Sequence, residues 1–512
     1  MVFDELRGRR LSLIVGLVGA MGFMLQGYDQ AVANGLLTLD SFVKTFPAID
    51  AIHATGAEKS HKSTIQGTTV AIYEVGCAIG ALSCAYLGDK LGRRRTIFLA
   101  GCIASVGIII QASPFTLAQL IVARVITGLG VGGFTAVIPM YISESSRAEN
   151  RGRMVLLEGF FAIGGIALAS WIEFGLYYVQ TNDVSWRFPI AFQLIFAIIV
   201  TSCILSLPES ARWLVSKDRV EEAAAVLGRL EDTNGDSEAV AIGLDTIRRS
   251  LQDENGSERS RNPFAFNDTR NFHRTCLAIG VNVIAQMSGI NIITFYSDTI
   301  FESDLGYSGT IARIISGCLQ IWQFICAGVA VYLIDRVGRR RLLLSAALGM
   351  AVSQACLAGL TSVISTNKSA ASASLLFYFL AFTFFPIGLF LVPFMYAAEI
   401  SPLNTRGKVT AMSASANWLF NFLIAEVTPT GFDNIGWKYY IIYFCINAAG
   451  FVIFYLFYPE TKGRSLEEID EIFIRSKSPF DTVRVAKELP FQLDVLATAD
   501  EKRDDKEHIE EV

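Results

Sequence analysis

The chain has 512 residues, of which 52% are apolar or aromatic and only 18% are charged, against roughly 25% charged in an ordinary soluble domain. A spanning helix uses about 20 apolar residues, so a dozen spans would use roughly 240, close to what is on offer. With 36 Phe and a mean hydropathy of +0.43, the composition excludes a soluble enzyme and points to an all-α, multi-pass membrane protein embedded in a lipid bilayer.

The formal charge of −5 comes from 43 basic and 48 acidic residues. It collects at the end of the chain, where Asp500 to Val512 alone holds seven acids and three bases. No basic stripe lies on a soluble domain, so nucleic acid is not expected as a partner. The nine Cys are scattered, and Cys77, Cys84 and Cys326 lie inside apolar runs, so they read as small hydrophobes. Only four His are present. None sits at metal-ligand or catalytic-triad spacing, so no metal, no cofactor and no enzymatic activity are expected.

In chain order, apolar runs predict spanning helices over 11–36, 67–87, 96–113, 116–141, 154–178 and 188–207. The run after Arg10 is too long for a cleavable signal peptide. A polar stretch at 208–273 follows, within which Val220, Ala224 and Leu227 and then Val240, Leu244 and Ile247 recur at helical spacing. Two short amphipathic helices beneath the membrane are predicted there. Six more spans follow at 275–300, 309–334, 342–364, 374–398, 407–427 and 438–458. The domain reading is therefore a first six-helix half at 1–207, a cytoplasmic linker at 208–273, a second half at 274–458 and an acidic cytoplasmic tail at 459–512.

Basic residues in the short loops orient the chain. Lys90, Arg93, Arg94, Arg95, Arg147, Arg151 and Arg153, with Arg336, Arg339, Arg340, Arg341, Arg406 and Lys408, fall on one side. Lys44, Lys59, Lys62, Arg187, Lys368 and Lys438 fall on the other. Thirteen against six places both termini in the cytoplasm, with Asn367 outside and Asn255 and Asn267 inside.

The chain repeats itself. Gly88 to Arg95 recurs as Ile334 to Arg341, Pro139 to Glu144 as Phe394 to Glu399, and Pro208-Glu209-Ser210 as Pro459-Glu460-Thr461, at offsets of 246, 255 and 251. A duplicated six-helix unit suits a transporter, because two like halves can rock about a central site. The run Gly128-Leu129-Gly130-Val131-Gly132-Gly133 fits a dinucleotide-binding pattern, but that fingerprint needs a strand before it. Here it lies inside an apolar helix, where small residues let helices pack closely.

Two charges lie deep in the spans. Asp29 sits in the first and Arg124 in the fourth, each costing at least about 2.5–3.5 kcal/mol unless paired or wetted. An Asp29–Arg124 pair would relieve both. Glu74, Glu158, Glu173 and Glu426 are further acids in or beside spans, mostly expected to serve boundary packing or capping. At the inner ends, Asp89 can accept from helix-end N–H groups while Arg93 and Arg95 reach acids such as Glu144.

The ordered set of motifs resembles the sugar porter family of the major facilitator superfamily, in its fungal members most of all. The matching pieces are Gly27-Tyr28-Asp29, Asp89 to Arg95, Arg124 with Thr127-Gly128, and Pro139 to Gly152. They continue through Pro208 to Trp213, Gln286 to Asn291, Asp335 to Arg341, Asn417-Trp418 and Pro459 to Gly463. The resemblance implies twelve transmembrane helices in two six-helix halves, working by alternating access. It implies proton coupling at Asp29 and Arg124, and substrate contact at Gln286, Asn291, Phe394, Asn417 and Trp418. It implies a cytoplasmic gate of Asp89, Arg93, Arg95, Glu144, Arg151, Asp335, Arg339, Glu399 and Arg406 that ties the halves together on the inner side.

Departures from the hexose-transporting pattern cluster at the site. Gly159 stands for a Gln, Ala285 for the first of a Gln pair, Gln323 for an Asn and Phe394 for a Trp. The expected protein is a monomeric plasma-membrane symporter of protons with a sugar or polyol. A facilitative uniporter, a glycerol, polyol or quinate-like carrier, and a non-transporting nutrient sensor are the alternatives. Sensors of this fold tend to carry a long signalling tail, and only about 50 residues follow Pro459. Finally, Gln286 and Asn291 lie five apart, about 140° around a straight helix, so a break at Ser288-Gly289 is predicted to turn both amides inward.

Overall fold

The computed structural model describes residues 6–52, 54–145, 151–179, 182–233, 237–254, 262–402, 405–464 and 466–489. Helices dominate, as they must where backbone N–H and C=O groups have no water to bond. The first six spans are α1 (Gly8–Leu36), α2 (Gly56–Leu91), α3 (Arg93–Ala112), α4 (Leu117–Glu144), α5 (Arg151–Tyr177) and α6 (Val184–Ile204). The last six are α7 (Asn271–Asp304), α8 (Gly309–Val337), α9 (Arg339–Ser362), α10 (Ser369–Glu399), α11 (Arg406–Ile435) and α12 (Tyr439–Phe457).

The apolar stretch Arg406–Phe457 runs for 52 residues, about 78 Å of helix against a hydrocarbon core of about 30 Å. Gly436, at φ 52°, breaks it into α11 and α12. Twelve crossings result.

The glycine run in α4 packs helices together. A Cβ on Gly128 or Gly132 would lie 2.3 or 2.0 Å from backbone oxygens of α2, and one on Gly130 would lie 2.5 Å from Ala100 O of α3. Those positions let three helices approach to backbone contact, which is how membrane helices associate without a hydrophobic driving force.

Among the described residues between the halves lie three short helices rather than two: Ala211–Ser216, Val220–Glu231 and Glu238–Glu254. Ser210 caps the first by accepting from Trp213 N–H at 3.2 Å. Trp213, Leu214 and Ala223 form a small core that Val226 and Leu244 close. After α12, Leu466–Arg475 packs back under the second half, where Asp470 pairs with the buried Arg274 at 2.6 Å. Asn255 and residues 490–512 of the tail lie outside the described residues, as do the side chains of Arg151 and Asp335.

Candidate functional site

α7 breaks where the sequence predicted. Its first segment ends at Gln286 and its second begins at Ile290, with Gly289 at φ 87°. A Cβ there would also lie 2.8 Å from the Tyr443 ring, so glycine is required twice over. The carbonyl of Ser288 freed by the break accepts from Asn447 Nδ2 at 2.8 Å, as a broken membrane helix requires.

The break turns Asn291 back onto Gln286. Asn291 Nδ2 donates to Gln286 Oε1 and, at 2.6 Å, to Asn421 Oδ1 on α11. Gln286 Nε2 donates to Asn417 Oδ1 at 2.9 Å, and Asn417 Nδ2 to Asn282 Oδ1 at 3.3 Å. Asn282 Nδ2 then donates to Ser413 Oγ at 2.7 Å. The result is a continuous chain of amides between α7 and α11, buried yet largely satisfied within itself. Asn282 and Asn421 were missed from sequence. Their signal was there: Ser413, Asn417 and Asn421 repeat every four residues along an otherwise apolar helix.

Of the other predicted contacts, Trp418 is buried beside Asn417, while Phe394 on α10 is 47% exposed. Leu391 occupies the space that Gly159 leaves open, since a Cβ at 159 would lie 2.1 Å from Leu391 Cδ2. On α8, Gln320 and Gln323 are buried with carbonyl oxygens that have no partner.

The chain does not end in the second half. Asn421 Nδ2 donates at 2.8 Å to Oε1 of Glu74 on α2. Glu74 is therefore buried in the interface rather than at a helix boundary. Glu158 and Glu173 are buried as well, so boundary capping does not describe them either.

Asp29 on α1 is fully buried; its Oδ1 accepts from Gln111 Nε2 at 3.4 Å and its Oδ2 has no partner. Thr127 orients that glutamine by donating to its Oε1 at 3.1 Å. The direct Asp29–Arg124 bond anticipated from sequence is not formed. Arg124 Nη2 donates to Val70 O at 2.9 Å, and its guanidinium lies over the Tyr73 ring at 5.4 Å. Asp29 is turned toward α3 and α6, where Gln111 and Gln193 sit, whereas Arg124 is turned toward α2. Its charge still acts on both Asp29 and Glu74. A small cavity of about 20 Å³, lined by Thr69, Val70, Gln111, Leu120 and Arg124 among others, borders this cluster.

At the inner ends, the predicted gate residues form one cluster in each half. Arg93 donates to Glu144 at 3.0 and 3.1 Å and to Asp89 at 3.0 Å, all within the first half. Arg339 pairs with Glu399 at 3.1 Å within the second, and Thr461 donates to the same carboxylate at 2.6 Å. Arg406 donates to Ser401 O at 3.3 Å. Arg95 is exposed.

The acceptor for the first N–H groups of α3 is Glu209 rather than Asp89, at 3.0 and 3.3 Å, and Glu460 does the same for α9 at 2.8 and 3.2 Å. Burial raises the Glu209 carboxyl above its ordinary value, opposed by these N–H donors. Tyr141 and Tyr396 tie the two Pro-Glu segments by donating to Pro208 O and Pro459 O at 2.7 and 2.9 Å. The sequence repeat is thus a structural repeat, each copy clamping its own half.

Besides the Glu74–Asn421 bond, the bonds described between the halves lie at the helix ends opposite those clusters. Asn34 donates to Ser297 at 3.0 Å, Lys59 pairs with Asp433 at 2.8 Å, Ser63 donates to the same Asp433, and Thr68 donates to Glu426 at 2.7 Å. Arg313 of α8 reaches Gly35 O at 3.4 Å and stacks over Tyr177 at 3.9 Å.

Two six-helix halves, repeated inner clamps and a buried polar seam between them define a two-domain membrane transporter of the major facilitator fold. The family model for "Sugar (and other) transporter" matches residues 15–473. MFS-type transporter oryC of Aspergillus oryzae is 37% identical over 474 residues, covering 91% of this chain and 86% of its own. Sugar transporter STL1 of Saccharomyces cerevisiae is 34% identical over 498 residues, covering 95% and 85%. The proton:xylose symporter XylE, solved with 6-bromo-6-deoxy-D-glucose, shares the fold at a TM-score of 0.75 and 24% identity, covering 90% of this chain and 99% of its own. The chain belongs to the sugar (and other) transporter family, and is a transporter rather than an enzyme.

Proposed function

We propose that the protein is a symporter that moves a sugar or related polyhydroxy solute together with a proton by alternating access. The observation that carries this reading is Asp29: a fully buried carboxylate on α1, held by neutral glutamines, with Gln111 at 3.4 Å, and near an arginine that is not bonded to it. A carboxylate so placed is costly when ionised and unpaired, so it can take a proton from one side and release it when Arg124 approaches. The amide chain supports the solute class. Gln286, Asn291 and Asn417 offer donors and acceptors that a hydroxyl can replace one for one. The names of the relatives agree: one is called a sugar transporter and XylE a proton:xylose symporter.

Leu391 filling the space beside Gly159 favours a solute other than an ordinary hexose, with a smaller polyol the simplest fit. Each charged cluster keeps its own half rigid as the two halves rock, with the termini in the cytoplasm, the protein in the plasma membrane and the monomer as the working unit.

One charge crossing 100 mV contributes about 2.3 kcal/mol, roughly a 50-fold accumulation ratio, and a pH difference of one unit about 1.4 kcal/mol, another tenfold. Asp29→Asn keeps an acceptor for Gln111, so the fold is expected to hold while the proton site is lost. In proteoliposomes, uphill uptake of labelled solute and its stimulation by acid should disappear while gradient-free exchange continues. Accumulation by Asp29→Asn against a gradient would remove Asp29 as the coupling group.

A further inference from the structure

Glu74 has no part in the mechanism above, yet it stands where the two halves of that mechanism meet. It lies on α2, 1% exposed, with Oε1 bonded to Asn421 Nδ2 at 2.8 Å and Oε2 without a partner. Asn421 turns its other end, Oδ1, to Asn291 at 2.6 Å, and Asn291 bonds Gln286. Three hydrogen bonds therefore run from Glu74 in the first half to Gln286 in the second.

Arg124 lies close to Glu74 without bonding it, over the ring of the adjacent Tyr73. That arginine is anchored on Val70 O, one helical turn before Glu74 on the same helix, at 2.9 Å. Its Nε has no hydrogen-bond partner, and its charge acts on Glu74 and on Asp29 alike. The remaining titratable neighbours are Tyr73 and Cys77 on α2 itself, Tyr296 of α7 near Arg124, and Tyr28 beside Asp29. From α11 the facing group is the Asn421 amide, which carries no charge.

Two buried carboxylates thus lie within the field of one guanidinium that is bonded to neither. With both ionised the cluster carries a net negative charge away from water, which is unfavourable. With one proton between them it is neutral. We propose that Glu74 is a positioning residue for coupling: it competes with Asp29 for Arg124, and the Asn421–Asn291–Gln286 chain lets substrate occupancy decide which of the two carboxylates holds the proton. The step is a transfer of one proton between carboxyl oxygens, with no other bond made or broken.

The mechanism follows from what a solute does to the chain. A hydroxyl that bonds Gln286 or Asn291 takes a donor that Asn291 now gives to Asn421 or Gln286. Asn421 must then re-orient, and its N–H bond to Glu74 changes with it. Glu74 gains or loses its one hydrogen-bond donor, and Arg124 is drawn toward it or released to Asp29.

This inference rests on the symport reading, so its test has to separate the two. In proteoliposomes, uptake of D-xylose, D-glucose and glycerol is measured against pH for wild type, Glu74→Gln and Asp29→Asn. Glutamine at 74 still accepts from Asn421 and keeps the packing, but it leaves Arg124 to Asp29 alone. Ionised Asp29 is then favoured, so half-maximal uptake should move to lower pH by about one unit, a tenfold higher proton concentration, or more. A residue that only packed would leave that midpoint where it was.

The second measurement cuts the chain and keeps both carboxylates. Adding whichever of D-xylose, D-glucose and glycerol is transported to purified wild type should exchange one protonated-carboxyl C=O stretching band for another in infrared difference spectra, and Asn421→Ala should abolish that exchange. An unmoved midpoint in Glu74→Gln, or an undiminished infrared exchange in Asn421→Ala, overturns the role given to Glu74. If Asp29→Asn abolishes acid stimulation in the same experiment, the symport reading survives that failure. If Asp29→Asn leaves acid stimulation intact, the symport reading falls first.

Discussion

Gln286→Ala takes out the centre of the amide chain. In the wild type its Oε1 accepts from Asn291 and its Nε2 donates to Asn417 at 2.9 Å. Truncation leaves Asn417 Oδ1 and one N–H of Asn291 without these partners, both in residues no more than 5% exposed. A buried group left unsatisfied costs about 1–3 kcal/mol. A solute hydroxyl that bonded Gln286 is lost in the same range, which corresponds to a roughly 5- to 150-fold weaker apparent affinity. The measurement is equilibrium exchange of labelled solute in proteoliposomes with no gradient, so that coupling does not enter, with the amount of inserted protein as the control. Asn291→Ala is expected to give a loss of the same order. Exchange by Gln286→Ala at unchanged apparent affinity would mean that the amide chain is only a structural seam and that the solute binds elsewhere.

Gly159→Gln alone is expected to lower transport, because the new side chain meets Leu391 Cδ2 within 2.1 Å of its Cβ. Combined with Ala285→Gln and Leu391→Ala it should move preference toward hexoses, read as inhibition of labelled uptake by D-glucose; an unchanged preference would remove those positions from selectivity. For topology, a Cys at the exposed Asn367 should react with a membrane-impermeant maleimide in intact cells, and one at the exposed Lys217 of the linker should not. The reverse pattern would invert the orientation.

Hydropathy located every span but misjudged several ends. α2 was read as 67–87 and runs from Gly56 to Leu91. Its first turns hold Glu58, Lys59, His61 and Lys62, which are too polar to register as membrane yet helical enough to continue the rod into water. Those extra turns join the two halves, since Lys59 and Ser63 meet Asp433 there. The break in α7 was legible because the five-residue spacing of Gln286 and Asn291 conflicts with a straight helix and a Ser-Gly pair lies between them. The short helices after α12 were not, being brief, amphipathic and stabilised by docking, as the Arg274–Asp470 pair illustrates.

The sequence by itself determined the twelve spans, the duplication, the dismissal of the glycine run as a nucleotide site and the residue types at the seam. All of these are written in local composition and in spacing along one chain. Tertiary structure decided who meets whom. Arg124 turns to Val70 and Tyr73 rather than directly to Asp29, and Glu209 and Glu460 cap α3 and α9 from far along the chain. Glu74 reaches Asn421 across 347 positions. Which of several neighbouring polar groups a buried side chain bonds depends on how each helix is rotated and how closely it crosses its neighbour. That is set by glycine contacts such as Gly128 against Tyr73 O and Gly132 against Cys77 O, through packing between segments that no local pattern in the chain records.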